Sequence, residues 1–195
     1  MKNYRVTFLF VVAIIATSFT FIQSNNTIFQ TIQQPTRTNV EWLSFEEAVE
    51  RSEKDGKKIM IEIYTEWCTW CKRMDTITLE QPAIATYIND NFYAVKFDAE
   101  TQREITFKER QFEFIKRGKK GYHSIVAELL KGHRLIYPSF VFLDGEQRVI
   151  QVISKYRSPQ EFERIISYFG QDHHKRTPWS VYRKSYKSTL ISNDK

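Results

Sequence analysis

Cysteine, glycine and proline are all scarce in this sequence. Its 195 residues include two Cys, six Gly and five Pro. So little Gly and Pro excludes a collagen-like chain, and two cysteines are too few for a scaffold of several disulfides. A structural zinc site normally needs four Cys or His ligands, and a second C-x-x-C is missing. No internal repeat is visible, and a hydrophobic content of 42% is enough for a packed core.

The positive charge is concentrated at the two ends of the chain. The formal net charge is +6, and residues 171–195 carry six Lys or Arg against two Asp, whereas the middle is close to balance. A nucleic-acid binder usually shows a basic stripe across its fold, so we expect no nucleic-acid partner. We interpret residues 171–195 as a solvated basic tail, with contact to anionic lipid or an acidic partner as the alternative.

Residues 1–24 have the pattern of an export signal. Lys2 and Arg5 precede an apolar run over residues 6–22. This run lies between the length of a signal-peptide core and the roughly 20 residues of a membrane-spanning helix. We expect either a signal peptide cleaved after Ser24 or an N-terminal membrane anchor, and an exported, periplasmic domain in both cases. A buried helix of a cytosolic domain is the alternative. Residues 25–40 would then be a linker.

The two cysteines lie three residues apart, where a strand passes into a helix. Residues 58–64 form an apolar, β-branched run that predicts a buried strand, and a helical stretch follows Cys71 and ends before Pro82. The unpaired N–H groups at a helix N-terminus favour a thiolate on Cys68, and Cys71 should be shielded one turn further in. A disulfide closing so small a loop adds little stability, which favours a redox role.

Residues 63–72, read as IYTEWCTWCK, resemble the active-site signature of the thioredoxin-like family. They are closest to exported bacterial thiol–disulfide oxidoreductases with a W-C-x-W-C site. Residues 137–145 resemble the cis-proline loop of the family and its following strand, 92–98 the strand beside the active-site strand, and 158–169 the closing helix. The resemblance implies an α/β thioredoxin fold over residues 41–170, with a central mixed β-sheet and helices on both faces.

The same resemblance implies roles at the site. Cys68 would attack a substrate disulfide, and Cys71 would resolve the mixed disulfide. Pro138 would be cis and lie against the cysteines, while the backbone of Tyr137 would pair with a substrate strand. An ordinary trans turn proline is the alternative at Pro138. We expect no cofactor and no metal; the partners would be protein thiols or disulfides and an upstream dithiol electron donor or acceptor.

Glu62 lies six residues before Cys68, where the family has a buried acid that is usually Asp. Its alternation with Ile61 and Ile63 predicts an inward side chain beneath the helix. A buried carboxyl group has a raised pKa and could accept the proton of Cys71. Lys96 matches a family lysine that supports this acid. A surface ion pair between Glu62 and Lys96 is the alternative.

Trp67 and Trp70 flank the cysteines. We expect Trp67 to pack beside the pair and also to contact substrate, and Trp70 to present a flat apolar surface to it. Coverage of the core by both rings is the alternative.

Residues 101–136 form an insert, because this segment is longer than the one that a plain thioredoxin has before its cis-proline. Residues 105–115 alternate in a way that predicts a hairpin, and residues 123–130 have the apolar spacing of a helix that Gly132 ends. This insert could shape substrate choice or be decoration. His123 and His133 lie in it without an evident partner. A further amphipathic helix is predicted within residues 39–56.

Two other classes of function remain open at this point. The dithiol could bind copper or another soft metal as a chaperone, or the cysteines could form a static bridge in a non-catalytic adaptor. For an oxidoreductase, the Thr69–Trp70 pair does not indicate whether the site reduces or oxidises its substrates.

Overall fold

The computed structural model describes residues 39–118 and 120–190, whose centre is a five-stranded mixed sheet. The strand order is β1-β3-β2-β8-β9; β1, β3 and β2 run parallel, and β8 and β9 are antiparallel to their neighbours. These strands are β1 (Trp42–Leu43), β2 (Lys58–Tyr64), β3 (Phe92–Asp98), β8 (Ser139–Leu143) and β9 (Val149–Ser154). The seven-residue register of β2 on β3 pairs Glu62 with Lys96.

Helices cover both faces of the sheet, which confirms the expected fold class. They are α1 (Phe45–Asp55), α2 (Thr69–Met74), a π-helix (Asp75–Leu79), α3 (Pro82–Asn91), α4 (Ser124–Leu130), α5 (Pro159–Gly170), a 3₁₀ turn (His173–Lys175) and α6 (Trp179–Ser185). Local sequence explains several boundaries. Ser44 caps α1, which ends at Gly56 in the left-handed conformation. Ser158 and Glu161 form a capping box at α5.

The alternation of side chains along β2 divides the core into two layers. Ile59, Ile61 and Ile63 face a layer made with α1 and α4. Met60 faces the other layer, which is built from α2, α3 and α5. Glu62 shares the Met60 side of the strand and therefore points toward α2 and the π-helix.

The Asn89 side chain positions the backbone segment that leads into β1. The Asn89 amide accepts a hydrogen bond from the N–H of Glu41 at 2.9 Å and donates one to the carbonyl of Asn39 at 2.9 Å. Asn89 lies near the end of α3 and is buried. It thus fixes the segment just before β1 in the way a neighbouring strand would.

The insert contains the hairpin and the helix that the sequence predicts, and a second hairpin that it does not. Strands β4 (Ile105–Phe107) and β5 (Arg110–Phe112) form the first hairpin, and β6 (Phe114–Arg117) and β7 (Lys120–His123) form the second. The first is part of the core, since the Phe107 ring lies 5.3 Å from that of Phe45. In the second, Gly121 leaves room for the Phe114 ring, which a Cβ at this position would meet at 2.3 Å.

The residues after Gly170 are the main departure from the sequence-based interpretation. A solvated basic tail was expected, but residues 171–190 fold back onto α5. Tyr182 is buried in the core layer beside Tyr168 and Phe169. Glu163 accepts hydrogen bonds from the Tyr186 and Ser188 hydroxyls and from the N–H groups of Thr189 and Leu190. The basic side chains are carried on the outside of a packed segment.

The predicted signal or anchor (1–24), the linker up to residue 38 and residues 191–195 lie outside the described residues. Within the described part, none of the helices combines the length and apolar character that crossing a membrane requires.

Candidate active site

Cys68 and Cys71 stand at the start of α2 and are joined as a disulfide, with their Cα atoms 5.3 Å apart. Cys68 is the N-cap residue, and its Sγ accepts a hydrogen bond of 3.0 Å from the N–H of Cys71. Both residues are buried, with an exposed fraction of 5% for Cys68 and 1% for Cys71, so Cys68 is the slightly more accessible residue. Both the N–H contact and the helix dipole would stabilise negative charge on Cys68 in the reduced form.

The Tyr137–Pro138 peptide bond is cis, and it directly precedes the strand that pairs with β2, the strand that leads to the dithiol. Strand β8 begins directly after Pro138, and Ser139 is paired with Ile63 near the end of β2, from which the chain runs to Cys68. The carbonyl of Pro138 accepts the N–H of Lys155 at 2.8 Å, which holds the loop. The Tyr137 ring packs edge-on against Trp67 at 5.7 Å, and burial raises the pKa of Tyr137 to about 12.

Glu62 is fully buried on the central strand, so the surface-pair alternative is wrong. Neither of its carboxylate oxygens has a hydrogen-bond partner among the described residues. Burial raises the pKa of Glu62 to about 8, with a further increase from the negative charge of Asp75 and a partial offset by Lys96. An uncharged acid is therefore present below the active-site helix at neutral pH.

Lys96 does not bind Glu62 closely, because Asp75 holds it. The Lys96 Nζ lies 2.6 Å from Asp75 Oδ1 but 3.8 Å from Glu62 Oε2. The ammonium group also lies 5.1 Å from the centre of the Tyr64 ring. Asp75 is the site residue that sequence reasoning missed. It is the first residue of the π-helix, a form often found at functional sites.

Trp67 and Trp70 are exposed, at 61% and 56%, and therefore do not cover the core. The Trp67 indole N–H donates to Glu100 at 3.1 Å. The Trp70 ring lies 5.7 Å from the Tyr156 ring, and the Arg73 guanidinium lies over both rings. The rim of the site thus has an aromatic surface on each side of the dithiol.

Of the two insert histidines without an evident partner in the sequence, His123 is a structural residue. It is fully buried and caps α4, with its Nδ1 accepting the N–H of Ile125. Its Nε2 lies 2.8 Å from the carbonyl of Arg103 and must therefore carry the proton. Among the residues that the structure describes, no three His, Cys, Asp or Glu side chains group as metal ligands.

The sheet order, the dithiol at the start of α2 and the cis proline define a protein of the thioredoxin fold with a C-x-x-C pair. A structure described as "DsbH Oxidoreductase" has this fold, with a TM-score of 0.51 and 19% identity over 78% of this chain and 98% of that one. A thioredoxin from Thermus thermophilus gives a TM-score of 0.49 at 18% identity over 72% of this chain and 99% of that one.

The family itself is established by sequence. The model of the thioredoxin-like DsbH family, described as "Protein of unknown function, DUF255", matches residues 23–153, well over half of the chain. The protein belongs to this family. A curated relative, "Uncharacterized protein B0495.5" of Caenorhabditis elegans, is 30% identical over 67 residues, or 34% of this chain. The match spans only 9% of that relative's length.

Proposed function

We propose that the protein is a thiol–disulfide oxidoreductase that exchanges disulfides with extracytoplasmic proteins through Cys68 and Cys71. The observation that carries this proposal is the arrangement of the dithiol, with Cys68 accepting an N–H at a helix start and cis-Pro138 at the start of the strand paired with β2. The exported location rests on the sequence of residues 1–24.

The reaction starts from the reduced dithiol. The Cys68 thiolate attacks one sulfur of a substrate disulfide; that S–S bond breaks, and one substrate thiolate leaves. Cys71 then loses its proton and attacks the Cys68 sulfur, which breaks the mixed disulfide and releases the second substrate thiolate. The substrate gains two electrons, and the Cys68–Cys71 disulfide forms. A second dithiol protein restores the reduced state, and the reverse sequence oxidises substrate thiols.

Glu62 is proposed to accept the Cys71 proton, since it is buried on the face of β2 that points toward α2. Only its ionised form, a minority at neutral pH because the pKa is about 8, can act as this base. Tyr137 and Trp67 would contact the substrate on one side of the dithiol and Trp70 on the other. The positive charge of Lys96 would stabilise Glu62 in its ionised form.

Replacement of Cys71 by Ala gives the most direct test. If Cys71 only resolves, Cys71→Ala should attack substrates but not release them. Mixed disulfides should then accumulate in the exported fraction. Non-reducing electrophoresis should show them as high-mass species that disappear when a reductant cleaves the disulfide. Cys68→Ala is the matched control and should give none, because the remaining thiol is shielded.

The same pair of variants separates the other two classes. A soft-metal chaperone would lose metal in both variants and trap no protein. A static bridge would cost both variants a similar, small amount of stability. If Cys71→Ala traps nothing under oxidising conditions, the oxidoreductase proposal is wrong.

A further inference from the structure

Three arginines line one cavity beside the edge strand of the sheet. The cavity has a volume of about 410 Å³ and lies between β9, α5 and α6. Arg157, Arg164 and Arg183 line it together with the half-exposed Trp179. We call this cavity the arginine pocket. Its size is within the range of about 300–1,000 Å³ that is usual for sites that hold small groups.

The positive charges of the arginine pocket are poorly neutralised. The structure gives Arg157, Arg164 and Arg183 no ion pair with any residue it describes, and the buried Nε atoms of Arg157 and Arg164 lack an acceptor. One guanidinium bond is present, from Arg157 Nη2 to the carbonyl of Ser154 at 3.0 Å. Glu161 also lines the pocket, but its Oε2 accepts the N–H and hydroxyl of Ser158 in the capping box.

The arginine pocket adjoins the aromatic rim of the dithiol. Arg157 follows Tyr156 directly in the chain, and the Tyr156 ring lies 5.7 Å from that of Trp70, which precedes Cys71. The loop carrying Tyr156 and Arg157 is tied to the π-helix, because the Thr78 hydroxyl donates to the Arg157 carbonyl at 2.8 Å. A protein segment lying across Trp70 and Tyr156 would therefore reach the pocket within a few residues.

We infer that the arginine pocket binds acidic side chains of the proteins whose disulfides are exchanged at Cys68. This inference rests on the proposed function. Guanidinium groups match carboxylates with paired, charge-assisted hydrogen bonds, and donors left unpaired in the free protein gain most from such a ligand. Trp179 supplies an apolar wall for the backbone of the bound segment. The pocket thus selects, among extracytoplasmic disulfides, those that lie beside an acidic segment.

The test uses two disulfide peptides that differ only in two or three Asp residues placed C-terminal to one cysteine, replaced by Ser in the neutral peptide. The quantity compared is the ratio of kcat/KM for the acidic peptide to that for the neutral peptide, at low salt. Wild type should prefer the acidic peptide. The double variant Arg164→Gln/Arg183→Gln should lower the ratio about 5-fold or more, as expected for two partly exposed charge pairs.

Arg176→Gln/Lys187→Gln is the matched control, because it removes the same charge from exposed positions outside the pocket. It should change the ratio less than about 2-fold. An equal fall in both double variants would mean that only net charge matters, and a wild type without preference would also overturn the inference. A wild type that exchanges neither peptide would remove the proposed function and this inference with it.

Binding without exchange gives a second readout. A cysteine-free acidic peptide should bind the oxidised wild type in titration calorimetry and bind Arg164→Gln/Arg183→Gln more weakly. If inorganic pyrophosphate binds and the acidic peptide does not, the pocket is a site for small oxyanions, and the inference is wrong.

Discussion

At the residue scale, Glu62 has the environment with the strongest chemical consequence. Its carboxyl group is buried with no hydrogen-bond partner among the described residues, and a pKa of about 8 leaves it mostly protonated at pH 7, with an ionised minority that can accept a proton. Replacement by Gln should slow release of the mixed disulfide about 10-fold or more, because one proton acceptor is lost. The first attack by Cys68 should be nearly unchanged. Single-turnover measurements with a chromogenic disulfide separate the two steps, and equal slowing of both would contradict this role.

The stability of the same variant tests the burial of Glu62 independently. Glu62 has a raised pKa in the folded state, so the folded protein binds the proton more tightly than the unfolded chain does. Wild type should therefore lose stability relative to Glu62→Gln as the pH rises from 4.5, the ordinary value, to about 8. Urea unfolding at several pH values measures this difference. A difference independent of pH would place the carboxyl group in contact with solvent.

Asp75 affects the pKa of Glu62 both directly, through its negative charge, and through its ion pair with Lys96. Asp75→Asn removes both the strong partner of the Lys96 ammonium group and a negative charge that raises the pKa of Glu62. The pKa of Glu62 should fall, because Lys96 becomes free to approach it. NMR titration of a labelled Glu62 carboxyl group measures this shift directly. Lys96→Met should move the pKa the other way, and the same direction in both variants would exclude the proposed coupling.

Sequence was sufficient to predict where Cys68, Cys71, Pro138 and Glu62 lie in the fold, and insufficient for Asp75. Cys68, Cys71 and Pro138 belong to segments that resemble known motifs of the thioredoxin-like family. The inward direction of Glu62 follows from the alternation of side chains along β2. The position of Asp75 at the site depends on where the π-helix starts and on which carboxylate forms the shorter ion pair with Lys96. Neither is encoded by spacing alone.

At the element scale, the C-terminal segment is a structural part of the domain. Tyr182→Ala should cost about 3 kcal/mol in free energy of unfolding, because a large buried ring is removed from contacts with Tyr168 and Tyr186. Val181→Ala is the control on the same helix. Val181 is 54% exposed, and its loss should change stability by less than about 0.5 kcal/mol. Chemical denaturation compares them, and equal effects would mean that the segment does not pack in solution.

The sequence contained a signal for this segment that its charge obscured. Trp179, Tyr182 and Tyr186 follow helical spacing, but the Lys and Arg residues between them led to the interpretation as a solvated tail. Its acceptor, Glu163, lies on the amphipathic helix α5, where a buried acid is unusual. The second hairpin was missed for a related reason, since β6 and β7 are short and rich in Lys and Arg.

At the scale of the whole molecule, the export prediction from residues 1–24 is testable in cells. A reporter active only outside the cytoplasm, fused after Lys195, should be active on the full chain. It should be inactive on a chain that lacks residues 2–24, because the basic and apolar parts of the signal are then gone. Replacing Lys2 and Arg5 by Ser is a milder control that should reduce export. Reporter activity without residues 2–24 would refute the prediction.

The two hydrogen bonds between the Asn89 side chain and the segment before β1 have a mechanical consequence. If the protein is held by its N-terminus, any pull is applied first to the two Asn89 hydrogen bonds and to β1, which has only two residues and lies at the sheet edge. Strand β3 stands between β1 and β2, and its seven-residue pairing with β2 would carry force only after β1 had peeled away. A force applied at the N-terminus would therefore reach the dithiol, which follows the far end of β2, only after β1 had separated from the sheet.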